Sequence, residues 1–431
     1  MTKIEWCHAP GFKAESWNPI VGCNIVSPGC TNCYAMDQAA HIERMSRGNS
    51  HYAGTTRQVN GKTVWTGKVA MAEHKLDEPL RWNKRRFVFT NSMSDLFYEA
   101  FEVAGIARIV AVMMLAHAWR GHVFVVLTKR GARMREVLSD PEFWMLVDLF
   151  ISETQIEQCD PDNRRKGDLR SLRVSAEEAM GEGGYLPGII WGVSVEDQTR
   201  ADERIPDLLA TPAWQRCISA EPLLGEINLE RIRAERLTRE ECGGEDFCGG
   251  QLYMSALCNN ARECAGQCDS EGGGGASIDW VFGGLESGDR PGRLEWALNL
   301  QAQCASNGVA FLWKQNGSFL EGVATQADTD GTPFSWAFAD GTYFDVNDER
   351  SHTIARDALA HSGGVRHILN EWWASGDGRL LKKPASKSLS GNALPVGWKG
   401  GEALFDVPKF ESCLQWPRAI VELAADAEGG Q

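Results

Sequence analysis

Phe87-Val88-Phe89-Thr90-Asn91-Ser92-Met93-Ser94-Asp95 is the stretch on which the fold turns. A short apolar run reads as a buried strand, it breaks into a mostly polar turn, and the next segment, Phe101 to Trp119, reads as a helix. The unit recurs along the chain. His122 to Leu127 ends in Thr128-Lys129-Arg130, Ile189 to Val193 in Ser194-Val195-Glu196-Asp197, and Cys217 to Ala220 in Glu221-Pro222. Trp280-Val281-Phe282 runs into Gly283-Gly284-Leu285-Glu286, and Val309 to Trp313 into Lys314-Gln315. Further helices are expected at Cys33 to Arg47, Pro141 to Glu153, Glu196 to Leu209 and Arg293 to Ser306. Strands that are apolar throughout belong to a parallel sheet covered on both faces. The expected class is therefore α/β, with a partial or full (β/α) TIM-like barrel ahead of a doubly wound sheet.

In such a barrel the chemistry collects at the C-terminal strand ends. Those ends carry Asn91, Ser92, Asp95, Lys129, Arg130, Ser194, Glu196, Glu221, Glu286 and Lys314. For Lys129, Arg130, Glu221 and Glu286 an equally good reading is an ion pair between neighbouring strand ends. The alternation covers 1–225 and 278–320. A charged, Gly-containing surface excursion at 156–186 and a Cys-rich insertion at 226–277 interrupt it, and 321–431 is a Trp-containing C-terminal extension.

Among 431 residues, 43% are apolar and 24% charged, which is ordinary for a globular protein and excludes wholesale disorder, collagen-like repetition and coiled coil. No uncharged apolar run reaches the roughly 18 residues of a membrane span, and Met1-Thr2-Lys3-Ile4-Glu5-Trp6 is not a secretory leader, so the expected location is the cytoplasm. A net charge of −14 argues against nonspecific coating of nucleic acid, though not against a local basic groove. Thirteen cysteines in such a chain point to metal or redox chemistry rather than disulfides.

Cys23, Cys30 and Cys33 are spaced Cys-x6-Cys-x2-Cys, bent at Pro28-Gly29, with the last opening a helix. Three thiolates on one loop suit a cubane iron-sulfur cluster with its fourth iron open. Zinc is the competing metal, closed by a fourth ligand such as Cys7, His8 or His41. Three unliganded cysteines are the third alternative.

The Gly-Cys-x6-Cys-x-Asn-Cys-Tyr-Ala loop is followed in order by Phe-Thr-Asn-Ser-Met-Ser-Asp-Leu-Phe at 89–97, Leu-Thr-Lys-Arg at 127–130 and Trp-Gly-Val-Ser-Val-Glu-Asp at 191–197. Ser-Ala-Glu-Pro-Leu-Leu at 219–224 and Gly-Gly-Leu-Glu-Ser-Gly at 283–288 complete the series. Together they resemble the phage-associated three-cysteine family, classed with radical S-adenosylmethionine enzymes and similar to spore photoproduct lyase-like proteins. The resemblance covers about 1–320 without the two insertions. It implies a [4Fe-4S] cluster on Cys23, Cys30 and Cys33, whose open iron binds S-adenosylmethionine. It further implies an electron donor such as flavodoxin or ferredoxin, and a nucleic acid or nucleotide substrate undergoing photolesion repair or base modification. Tyr34, Asn91, Ser92, Asp95, Ser194 and Glu196 are then expected to touch the cofactor, and Lys129, Arg130, Glu221, Glu286 and Lys314 the substrate. The x6 gap departs from the x3 gap usual in such enzymes. The rival from another class is a non-catalytic iron-sulfur or zinc-stabilised factor that binds nucleic acid or protein.

Cys242, Cys248, Cys258, Cys264 and Cys268 supply enough thiolates for a zinc site, four of the five, or for an auxiliary cluster. Trp336, Trp372, Trp373, Trp398 and Trp416 are expected as core or interface anchors rather than base-stacking platforms. The basic run Arg81-Trp82-Asn83-Lys84-Arg85-Arg86 offers phosphate-binding potential but reads as a solvated face.

Overall fold

The computed structural model describes residues 4–47, 50–154, 187–229, 232–235, 253–255, 278–286, 290, 292–316 and 417–428, together with the backbone of short strands between 320 and 382. The first strands are β1 (Lys13–Trp17) and β2 (Ile20–Val21), and helix α1 (Tyr34–Met45) follows the cysteine loop. A hairpin of β3 (Thr56–Val59) and β4 (Lys62–Trp65) leads to β5 (Ala70–Met71), which pairs back onto β2. The short α2 (Glu78–Arg81) precedes β6 (Arg86–Thr90), α3 (Val103–Arg120), β7 (Val123–Thr128), α4 (Gly131–Ser139) and α5 (Pro141–Glu153). Then come β8 (Ile189–Ser194), α6 (Gln198–Ala210) and β9 (Gln215–Leu223). Within the Cys-rich insertion, β10 (Arg233–Glu235) pairs antiparallel with β11 (Tyr253–Ser255). β12 (Trp280–Leu285), α7 (Leu294–Ser306) and β13 (Ala310–Asn316) finish the alternation, and α8 (Arg418–Glu428) lies near the C-terminus.

Seven strands form one sheet in the order β1-β6-β7-β8-β9-β12-β13, every pair parallel. Since this order follows the chain, each crossover carries the next strand one place along, as right-handed β-α units do. The sheet is curled into a half-barrel, and its two faces bury different sets. Val88, Phe124, Val126, Trp191, Val193, Ile218 and Val281 pack under the helices. Phe87, Val125, Ile190, Cys217, Trp280, Phe282 and Leu312 face the other way, onto Trp6, Cys7 and Ile420. Trp6 plugs that face, its ring 4.7 Å from Phe282 and 4.8 Å from Phe89. The extension after 321 thus returns to the core through Ile420 of α8.

Local sequence accounts for the element ends. Pro141 opens α5, and the Asp140 side chain accepts from the Glu142 amide, the cap expected of Asp-Pro. Asp197 caps α6 in the same way through the Arg200 amide. That helix therefore starts two residues later than expected and leaves Glu196 in the turn above β8. The one described helix apolar and long enough to cross a bilayer is α3; it is mostly buried, packed against sheet and helices as a core helix. The excursion at 156–186 and all five cysteines of the insertion lie outside the described residues, as do Trp398 and Trp416.

Candidate functional site at the carboxyl ends of the sheet

The cysteine loop lies at the carboxyl end of the parallel strands. Its entry is tied down where Gly22 bridges Ser94 and lies so close to the Lys68 carbonyl, at φ +90°, that no side chain fits there. Beyond it, Pro28–Cys30 form a 3-10 turn, and Cys33 precedes the first turn of α1. Cys30 is buried, while Cys23 and Cys33 are half-buried against Val21, Met36, Trp65 and Met93. Ile25, Val26 and Tyr34 are exposed around them.

The three thiols share one electrostatic environment. Burial pushes Cys23 up to about 12, with Asp95 adding to the shift, Arg130 opposing it, and Cys30 contributing. Cys33 is also raised by burial, and Cys30 and Lys129 act on it with opposite signs. Among the described residues no three His, Cys, Asp or Glu side chains converge on a single point as one metal ion requires. Cubane ligands bind one iron each and need no such convergence. Of the fourth ligands considered for zinc, Cys7 is buried in the plug, and His8 and His41 are exposed.

Glu196, fully buried, is the hub of the loop. Its Oε1 accepts from the Ser27 hydroxyl at 2.6 Å and from Lys129 Nζ, and its Oε2 accepts from Arg204 Nη1 at 3.1 Å. Burial works to raise its pKa, but Lys129 and Arg204, with the Ser27 hydrogen bond, outweigh that and hold the carboxyl below the usual range. Gly29 rests on the same side chain, where any Cβ would collide with it. From the next strand end but one, Arg290 donates to the Pro28 carbonyl at 3.0 Å and through Nε to Glu286 at 2.7 Å.

A second hub joins β6 to β7. Asp95 Oδ1 accepts from Thr128 Oγ1 at 2.7 Å and the Phe97 amide at 3.0 Å, while Oδ2 accepts from the Lys129 amide at 3.0 Å and Arg130 Nη1 at 2.9 Å. Arg130 also donates to Glu99 at 2.8 Å and lies over the Tyr98 ring. Ser92 exchanges hydrogen bonds with Ser16 and Asn18, and its carbonyl accepts from the Tyr34 hydroxyl at 2.9 Å. Lys314 pairs with Glu221. Arg204 also donates to the Ser194 carbonyl at 2.6 Å.

The structure places the expected strand-end residues together at the carboxyl end of the sheet and shows how they are occupied. Lys129, Arg130, Glu221 and Glu286 all stand in ion pairs between or beside strand ends, the alternative their chemistry left open, and Lys314 is the partner of Glu221. Asp95, Ser92 and Glu196 are engaged by neighbouring protein groups. Asn91 differs: it is 3% exposed, and neither atom of its carboxamide finds a hydrogen-bond partner among the described residues. Ser27, Arg204 and Arg290 were missed by sequence reading, because a serine in a loop and arginines in helical or Gly-rich segments carry no local signal of a distant partner. The basic run at 81–86 opens β6 and so lies at the opposite end of the sheet from the cysteines. There Arg81 pairs with Asp77, Arg86 with Glu15, and Arg85 donates to the Gly121 and Leu423 carbonyls.

Fold and site define an α/β protein whose three-cysteine loop is anchored over the carboxyl ends of a curled parallel sheet. The chain belongs to the family described as protein of unknown function DUF5131, whose model matches residues 1–382. No curated protein and no solved structure matches it.

Proposed function

We propose that this chain is a radical S-adenosylmethionine enzyme built on a partial (β/α) barrel, acting on a nucleic acid or nucleotide. The observation that carries the reading is the anchored loop at the carboxyl ends of the strands, with Cys23, Cys30 and Cys33 near enough to share a field. The donor set fits a [4Fe-4S] cluster: three soft thiol ligands, one buried and two half-buried, beside polar strand ends. Bound there and reduced, such a cluster supplies the electron that cleaves S-adenosylmethionine to methionine and a 5′-deoxyadenosyl radical able to abstract hydrogen from a substrate.

The chain's own residues supply placement. Cys23, Cys30 and Cys33 would hold the cluster. Asn91, with donor and acceptor both unspent among the described residues, is the strongest candidate among the expected cofactor contacts, since leaving a buried carboxamide unpaired costs about 1–3 kcal/mol. Asp95 and Glu196 act at one remove, by fixing the strand ends and the loop. Ile25, Val26 and Tyr34 form an exposed apolar rim that would exclude water from a docked substrate or electron-donating protein. The described cysteines are free thiols, in keeping with a reducing cytoplasm. The cysteines between 242 and 268 remain candidates for zinc.

Lys129, Arg130 and Lys314 are paired within the protein, so no account that needs them for phosphate is favoured; the second reading is a non-catalytic iron-sulfur or zinc-stabilised factor that binds nucleic acid or protein. The two readings part on one assay. Anaerobically reconstituted, chemically reduced protein supplied with S-adenosylmethionine is expected to form 5′-deoxyadenosine, and the Cys33→Ala variant is not. A reducible cluster that yields no product with or without irradiated DNA, and binds no S-adenosylmethionine, would establish the binding factor instead.

A further inference from the structure

Glu196 is expected from its motif to touch the cofactor, yet its carboxylate is turned into the protein. We propose that Glu196 is a positioning residue: it latches the Ser27–Cys30 turn to the end of β8 and so fixes where Cys30 stands. Three observations converge. Ser27 Oγ donates to Glu196 Oε1 at 2.6 Å across 169 residues of chain, and the same hydroxyl lies 3.7 Å from Cys30 Sγ. Gly29 lies against the Glu196 side chain so closely that only a hydrogen fits. Lys129 and Arg204 grip the carboxylate from β7 and α6, so the latch is attached to the sheet and not to another loop.

The arrangement has a direct chemical consequence. A hydroxyl bridging a carboxylate and a thiol holds the sulfur within reach of one fixed point, and the ion network behind the carboxylate keeps that point from moving. Among the described residues the Cys23 thiol has no such tether; it bonds the carbonyl of its neighbour Asn24 at 3.5 Å. Cys30 is therefore held more firmly than Cys23, and the long x6 segment between the two is the part that can adjust. The latch stands on the geometry of the loop alone; only its effect on a bound cluster rests on the function proposed above.

The test uses full-length, metal-free protein and N-ethylmaleimide, with alkylation followed cysteine by cysteine by mass spectrometry. Glu196→Gln strips the charge that Lys129 and Arg204 need and can unfold the chain, so Ser27→Ala is the decisive variant, because it leaves those pairs intact. Ser27→Ala is expected to speed alkylation of Cys30 on the order of ten-fold, as loss of one hydrogen bond to a charged group allows. Cys217 and Cys304, both fully buried in the core, should keep their wild-type rates, and Ser27→Thr, which keeps the hydroxyl, should restore slow alkylation of Cys30. An unchanged Cys30 rate in Ser27→Ala overturns the latch. So does a parallel rise at Cys217 and Cys304, which would mean general loosening. Iron and sulfide uptake by the wild-type protein is measured beside it: if there is none, the proposed cofactor fails while the alkylation rates still decide the latch.

Discussion

Asp95 Oδ2 and Arg130 Nη1 meet at 2.9 Å where two adjacent strands end, with both side chains more than nine-tenths buried. Four donors converge on this one carboxylate, which joins the segment after β6 to that after β7 and lies in the field of Cys23. Breaking a buried pair from one side leaves the other charge poorly compensated, here with only the exposed Glu99 as a carboxylate partner among the described residues. Asp95→Asn should therefore lose about 3–5 kcal/mol of stability, read as a lower urea midpoint at unchanged slope. A loss under about 1 kcal/mol would mean that solvent reaches Arg130 and that the pair is not structural.

That pair also marks where sequence reading stops. Opposite charges at neighbouring strand ends are the same signal whether they await a substrate or each other. Lys129 and Glu196 stand 67 residues apart, and only the sheet register brings them together. The β-α units were legible because strands such as Ile189–Ser194 are buried on both faces and α5 carries an Asp-Pro start. β1 was not, because Lys13-Ala14-Glu15-Ser16-Trp17 is an edge strand with polar residues interleaved. Nor was α4, a nine-residue helix whose N-cap, Arg130, makes no capping bond. The plug of Trp6 and Ile420 joins the two ends of the chain, and no local pattern announces a contact of that separation.

Acid should weaken the fold through His122. Its Nδ1 accepts from the Arg86 amide at 3.1 Å and its Nε2 donates to the Pro79 carbonyl at 3.1 Å, so the buried ring serves as a neutral imidazole. Burial lowers its pKa from 6.5 to about 4, despite the Pro79 hydrogen bond. Between those values the unfolded chain takes up a proton that the folded one refuses. Stability is thus intact above pH 6.5, falls as the pH drops, and levels off near 4, a loss of roughly 3 kcal/mol from this group. Urea midpoints from pH 7 to 4 should show a shallower decline in His122→Gln; parallel profiles would remove His122 as the cause.

Iron should track position, not thiol number. Cys23→Ala, Cys30→Ala and Cys33→Ala are each expected to lose the iron and sulfide taken up on anaerobic reconstitution. Cys304→Ala, in the helix core, should keep both and lose only about 1–3 kcal/mol to the small cavity it leaves. Zinc uptake in place of iron, still dependent on those three cysteines, would support the binding-factor reading.

Asn91 separates binding from folding by the sign of the effect. A buried carboxamide with neither atom paired among the described residues costs the folded state about 1–3 kcal/mol, so Asn91→Leu, which keeps the same branched outline with nothing to satisfy, should leave stability unchanged or raise it. If the carboxamide is kept for the cofactor, the same change should weaken S-adenosylmethionine binding to the reconstituted protein at least ten-fold, about 1.4 kcal/mol. Thermal unfolding of the metal-free chain and equilibrium binding to the holoprotein measure the two effects independently. A variant that is destabilised and binds normally would show that Asn91 is part of the packing; one that is stable and binds poorly would make it a ligand-contacting residue at the carboxyl end of β6.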